Sequence, residues 1–331
     1  MAGRAFDAWF FALADPALPA PPPACPTTPD PAQLCELADW HGVLPAVTRN
    51  LRRLDAAAPW ARVVLARAEE PLLGRVAFSL RLRKQLEPIV SAFAAAGVPA
   101  LVLKGPEFAD RLYPEPVLRP FTDLDLLLPR NALGDAGAVL GRLGYRRDPE
   151  PRRKHPGDYG EETWGLGEPA AGAVELHWNL VNSPPLRRRC SVEFGDLAIE
   201  SAAAGALPTA TPASLLLTAA IHAAASHRFD RLQPLCDVCQ ATRGAAGPLD
   251  AAWLGDTARR TGSAFALATA LRLAGAIFRE AACTSLVGEA ACLSRAGRLC
   301  RRLLTPRTVL HSRTLGAGLR RQLYRELLKR A

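Results

Sequence analysis

The sequence predicts an α+β fold: a small mixed β-sheet flanked by an N-terminal helical layer and a C-terminal helical domain. Three observations predict it. Apolar residues keep a 3.6-residue period through the first third of the chain and again from Pro212 to the end. Between these helical regions lie three short apolar runs, Val98–Leu103, Thr122–Leu128 and Ala173–Leu180, each near turn residues and each of strand length. Two of the runs carry acids at i, i+2 spacing or an acid beside a histidine, which is a strand-type alternation. The regions divide as residues 1–75 (N-terminal helices), 76–182 (the α/β core) and 183–331 (C-terminal helices).

In chain order, Phe6–Leu13 reads as a short helix, followed by a proline-rich connector from Pro16 to Pro31. Asp30-Pro31 starts a helix that ends near His41-Gly42, and Val43–Leu54 continues helically. His41 reads as a capping or packing residue rather than a ligand. From Trp60 to Ala95 the helical period persists, with Pro71 and Pro88 expected to break or restart it. After the first strand, Lys104-Gly105 makes a turn and Pro106 suits the first turn of a helix through Tyr113. Asn131 is expected to cap a helix running to Leu143. Tyr145–Arg153 and Glu162–Gly167 are weaker strand candidates around a polar loop with His155 and Asp158. The C-terminal helices are expected at Ser214–Arg228, Leu235–Arg243, Ala251–Arg260, Ala264–Arg279, Glu289–Leu304 and Leu315–Lys329.

Composition narrows the function classes. With 331 residues, 49% hydrophobic and 22% charged, the chain has the profile of a globular protein with ample core. The formal charge of +9 comes from 41 basic residues, only four of them lysine (Lys84, Lys104, Lys154, Lys329). Such arginine, alanine and proline enrichment points to coding bias more than to an anionic partner. It also makes Lys104 informative. Arg301, Arg302, Arg320 and Arg321 lie on the last two helices without interleaved aromatics, so a solvated face is expected there and nucleic acid is not favoured. The apolar run Ala8–Ala14 is too short for a signal peptide, and Ser263–Phe278 is broken by Arg272, so a cytoplasmic protein without a membrane span is expected. Eight cysteines in such a chain do not form a disulfide framework, and Cys236 and Cys239 read as helix packing positions.

The chemistry concentrates in VPALVLKGPEFADRLYPEPVLRPFTDLDLLLP, residues 98–129. Asp123 and Asp125 share one strand face about 6.5–7 Å apart. Two acids in an apolar strand are costly unless a cation satisfies them, which suits Mg²⁺ or Mn²⁺. Glu175 and His177 share a face of the third strand. If the strands join one sheet, these four residues meet the Lys104-Gly105 turn. A glycine there admits a phosphate to the backbone, with Lys104 as a point charge and Arg119 as a bidentate fork. Asp123, Asp125 and Glu175 are then the catalytic, metal-ligating carboxylates, and Glu175 or His177 the general base. Each element alone has an ordinary reading: a DxD on a polar strand face, a KG turn, an ELH strand facing solvent.

The linked series LVLKG, Tyr113-Pro114, Arg119, TDLDLLLP and VELHW resembles the uncharacterised nucleotidyltransferase family, a branch of the polymerase-β-like superfamily. The lead-in LADWHGVLPAVTRNL (Leu37–Leu51), and then His222, Arg231-Leu232 and Asp237, extend the likeness over roughly residues 35–245. The resemblance implies a nucleotidyltransferase core that binds an NTP with Mg²⁺, metal ligation by Asp123 and Asp125, and Glu175 as the third carboxylate. Lys104-Gly105 stands where the superfamily usually has Gly-Ser, and the gap to the DxD is longer than in minimal members. Lys104, Gly105, Arg119 and His177 are the expected nucleotide- and phosphate-binding residues. The expected activity is transfer of NMP from an NTP to a hydroxyl or phosphate of an unidentified acceptor, with pyrophosphate release. A degenerate nucleotide-binding or scaffold protein in a biosynthetic assembly, or a kinase-like phosphotransferase, fits the same residues.

Overall fold

The computed structural model describes residues 3–19, 23–53, 58–149, 158–167, 172–201, 206–287 and 295–330. Four helices lead: α1 (Arg4–Ala14), α2 (Pro31–Trp40), α3 (Leu44–Leu51) and α4 (Pro59–Ala95). Asp30 caps α2, its side chain accepting from the Ala32 and Gln33 amides, with Pro31 at the first helical position. The α4 helix runs 37 residues through Pro71 and Pro88, against the expected breaks. Both prolines face solvent, where water can take the carbonyls their missing N–H groups leave free.

The core follows with β1 (Leu101–Val102), α5 (Lys104–Leu112), β2 (Asp123–Leu127), α6 (Leu133–Arg142), β3 (Arg146–Arg147), β4 (Glu161–Gly165) and β5 (Ala173–His177). The sheet order is β1-β2-β5-β4-β3, with β2 and β5 parallel and every other pair antiparallel. It is therefore mixed, and the fold is α+β as the sequence predicts. Asn131 does not cap α6; it lies in a 3₁₀ turn that leads into the helix. Of the polar loop expected around His155 and Asp158, residues 150–157 lie outside the described residues, and Asp158 meets Arg187 at 3.2 Å.

The C-terminal part adds a small helix α7 (Pro184–Arg187) and a hairpin of β6 (Ile199–Glu200) and β7 (Thr209–Ala210). Then come α8 (Pro212–Ile221), a π-helical turn (His222–Ser226), α9 (Gln233–Thr242), α10 (Ala251–Arg260) and α11 (Ala264–Phe278). The chain finishes with α12 (Ala281–Ser285), α13 (Arg295–Leu303), α14 (Pro306–Leu310) and α15 (Leu315–Leu328). The expected helix at Ser214–Arg228 thus ends in the π turn. The first part of the expected Glu289–Leu304 helix lies outside the described residues.

Two apolar clusters hold these layers. On one sheet face Leu124, Leu126, Val174 and Leu176 pack against Leu82, Ile89 and Phe93 of α4 and Val139 and Leu140 of α6. The other cluster runs from Phe10 and Leu13 of α1 through Leu127 to α8, α9, α11 and Tyr324 of α15. Each fully buried Leu or Phe contributes roughly 1.5–3 kcal/mol. N-terminal and C-terminal helices therefore share one core, and α4 spans both clusters. The seam between them is also polar. Arg243 forks onto Asp15 (2.7 Å twice), and His41 bonds the Leu310 carbonyl (3.0 Å). His41 is fully buried there, a packing residue. Cys236 and Cys239 are buried in α9, with the Cys236 thiol on the Ala14 carbonyl. Among the described residues no helix is long and apolar enough to cross a membrane.

Candidate functional site

Alternation along β2 and β5 places the site. Parallel register pairs Asp125 with Glu175 and Leu127 with His177. Asp123, Asp125, Glu175 and His177 therefore emerge on the same sheet face, opposite the apolar Leu124, Leu126, Val174 and Leu176. Lys104, the first residue of α5, enters from the neighbouring strand. Gly105 takes φ +45°, a conformation costly for any residue with a Cβ, and lies against the Asp123 carbonyl and the Phe121 ring. That turn lets Lys104 face back onto β2.

The five side chains form one charge cluster. Lys104 Nζ lies 2.7 Å from Asp125 Oδ1, and His177 Nε2 donates to the same oxygen at 2.9 Å. His177 Nε2 is 3.4 Å from Glu175, and its Nδ1 faces Asn182 Oδ1 at 3.3 Å. Asn182 in turn donates to Glu161 at the start of β4. Asp125 Oδ2 is buried and has no hydrogen-bond partner among the described residues. Burial alone would raise the Asp125 carboxyl, but Lys104 and His177 outweigh it and hold it below the usual range. Burial would likewise lower His177, yet its hydrogen bonds to Asp125 and Glu175 bring it up to about 10. Lys104 is raised by Asp125 and Asp123 against its own burial. Among the described residues the Asp123 side chain has no ion pair or hydrogen bond. Burial, then the charges of Asp125 and Glu175, push it up to about 6.

Three sequence expectations change at this point. Arg119 does not offer a fork to phosphate: its Nε and Nη2 are 2.8 and 2.9 Å from the two oxygens of Asp237 on α9. Tyr113 donates to Asp237 as well (2.7 Å), and the remaining Arg119 Nη1 faces the Gly105 carbonyl. His177 does not face a phosphate either, because its buried ring is spent between carboxylates. As an imidazolium it has no lone pair to act as general base. The third change concerns the metal set expected from Asp123, Asp125 and Glu175. The group whose ligand atoms lie within 4.8 Å of one another is Asp125, Glu175 and His177, with Asp123 outside it.

A divalent cation fits these residues. Two carboxylates and an imidazole converge, and Asp125 Oδ2 is a buried acceptor awaiting a donor or an ion. Oxygen donors from Asp123, Asp125 and Glu175 suit Mg²⁺, and the His177 imidazole would join them for Mn²⁺ only by giving up the proton it shares with Asp125.

Asp125 and Asp123 open onto a cleft of about 890 Å³ between α2, α4, β2, the π turn and α9. That volume is in the usual range for small-molecule sites. Lys104, Gly105, His222 and Arg231 also line it. Sequence reasoning reached His222 and Arg231 only as marks of family likeness. No spacing distinguishes Arg231 among so many arginines; its place at the cleft depends on the tertiary fold.

Paired strand acids, a lysine–glycine turn and an adjoining cleft are the arrangement expected of a nucleotidyltransferase. The chain belongs to the uncharacterised nucleotidyltransferase family, whose model matches residues 27–279, more than half of the sequence. No curated protein and no solved structure compared with the chain matches it.

Proposed function

We propose that this protein is a metal-dependent nucleotidyltransferase that moves a nucleoside monophosphate from an NTP to a hydroxyl or phosphate of an acceptor, releasing pyrophosphate. The observation that carries this reading is Asp125. It is register-paired with Glu175, opens onto the cleft, and keeps one buried oxygen without a partner. Asp125 and Glu175, with Asp123, would hold Mg²⁺ or Mn²⁺, which would supply activation of the attacking hydroxyl and neutralisation of the leaving pyrophosphate. The chain's own residues do the rest. Asp123, unpaired at the cleft edge and ionised above about pH 6, accepts the proton of the acceptor hydroxyl. Lys104 supplies a fixed positive charge beside the carboxylates, and the Gly105 turn leaves room for a phosphate near the backbone. His177, anchored through Asn182, orients Asp125 and Glu175.

One observation favours a second reading. Lys104 and His177 already neutralise Asp125, as they would in a nucleotide-binding or scaffold protein that has lost transfer. The separating experiment incubates the purified chain with mixed NTPs, Mg²⁺ or Mn²⁺ and cell extract. Pyrophosphate release abolished by Asp125→Asn, together with NMP-modified product by mass spectrometry, supports transfer. Nucleotide binding without product supports the second reading, and NDP release points to a kinase-like reaction.

A further inference from the structure

Most charged side chains of the cleft have ionic partners. Lys104 pairs with Asp125, Arg119 with Asp237, Arg75 with Asp39, and His227 with Asp230. Among the described residues that line the cleft, this leaves one carboxylate, Asp123, and one guanidinium, Arg231, without an ionic partner. Arg231 Nε is buried and makes no hydrogen bond, and neither does the buried Nδ1 of His222 in the same wall. Buried donors and acceptors without partners are rare in folded proteins and ask for a ligand.

Arg231 is nevertheless held in place. Its guanidinium lies 5.1 Å from the centre of the Trp40 ring, whose indole N–H donates to Ser312 Oγ at 3.1 Å. The backbone leading to it is also constrained. A π turn spans His222–Ser226, and Arg228 and Phe229 then take φ of +52° and +58°. Two successive non-glycine residues in the left-handed region persist only where surrounding structure imposes them. Phe229 is fully buried and its amide bonds the Ala223 carbonyl at 2.9 Å, which supplies that constraint. A strained, anchored loop thus presents an unpaired guanidinium to a cleft whose other unpaired charge is an acid.

We infer that Arg231, seated on Trp40, is the binding site for the polyphosphate tail of the nucleotide. A planar guanidinium with free N–H groups matches phosphate oxygens in pairs, the function Arg119 cannot serve while its Nε and Nη2 are on Asp237 and its Nη1 faces the Gly105 carbonyl. Arg231 binds the phosphates from the C-terminal helical side, while the carboxylates act from the sheet. Trp40 is a positioning residue that keeps the guanidinium extended into the cleft. The identity of the anion rests on the nucleotide reading above; the site itself rests on the pairing of charges.

The test is calorimetric titration of the metal-free full-length chain with tripolyphosphate, with inorganic phosphate in parallel. Wild type is expected to bind tripolyphosphate more tightly than phosphate. Arg231→Ala should weaken tripolyphosphate binding about tenfold or more, and Arg231→Lys by less, since it keeps charge without the fork. Circular dichroism checks folding, and the lysine variant decides the matter if the alanine variant does not fold. Unchanged affinity in a folded Arg231 variant overturns the inference, as does a wild type that binds neither anion. Phosphate binding as tight as tripolyphosphate also overturns it, assigning the seat to a phosphomonoester. If tripolyphosphate binds through Arg231 but no NTP yields pyrophosphate, the seat stands and transfer falls. If NTP turns over and Arg231→Ala leaves KM unchanged, the seat falls and transfer stands.

Discussion

Asp125 and Asp237 are both buried aspartates beside a cation, yet they are completed differently. At Asp237 every oxygen has a donor: Oδ1 accepts from Tyr113 and Arg119 Nε, and Oδ2 accepts from Arg119 Nη2. At Asp125 both donors crowd onto Oδ1, and Oδ2 has none. Asp237 closes the seam between the α/β core and the helical domain. Asp125 is left open toward the cleft. A buried acid with complete partners holds structure, whereas one with a spare oxygen in a cluster of other acids has room for a further donor or an ion.

The largest expected effect that would sharpen or break this contrast is on stability. Asp237→Asn strands a buried guanidinium and is expected to cost about 3–5 kcal/mol in a urea melt. Asp125→Asn should cost less, because it also relieves repulsion with Asp123 and Glu175. Equal losses would break the comparison.

Acid should next strain the seam. His41 is buried and neutral, its Nε2–H donating to the Leu310 carbonyl, and burial lowers it to about 4 from an ordinary 6.5. The unfolded chain takes up that proton first as pH falls. Stability from this group is complete above about pH 6.5 and is lost toward pH 4, by roughly 3 kcal/mol. A His41→Gln variant should show a flatter fall in melting temperature over that window. An unchanged slope would remove His41 from the account.

A smaller effect belongs to the open site. Asn182→Ala releases the Nδ1 side of His177 and one partner of Glu161. Divalent-cation affinity should fall about 10–100-fold with the melting temperature nearly unchanged. The smallest effect is at the surface. Arg83, partly buried, forks onto the half-exposed Asp110 at 2.7 Å, and Arg83→Ala should cost no more than about 1 kcal/mol and leave ligand binding as it is.

The strand acids were legible because strand alternation is local. Two aspartates at i, i+2 in an apolar run share a face whatever the sheet does, and β2 covers Asp123–Leu127 as expected. The tail of the third run was not strand: β5 stops at His177, and Trp178 turns its indole N–H to the Tyr159 carbonyl. Pro71 and Pro88 misled because their effect depends on which helix face they occupy, a tertiary property. Arg119 misled for a related reason. A guanidinium near a phosphate turn looks available until a partner arrives from 118 residues away, as Asp237 does. Arg231 was invisible as a site residue because its lack of an ionic partner emerges only from the tertiary pairing of the other cationic side chains of the cleft, Lys104, Arg119 and Arg75.

The most direct measurement is Mn²⁺ titration followed by electron paramagnetic resonance, on wild type, Asp125→Asn and Asp237→Asn, each kept well below its melting temperature. The account predicts that wild type and folded Asp237→Asn bind Mn²⁺ and that Asp125→Asn loses the binding while remaining folded. Mn²⁺ bound by Asp125→Asn as tightly as by wild type would contradict it.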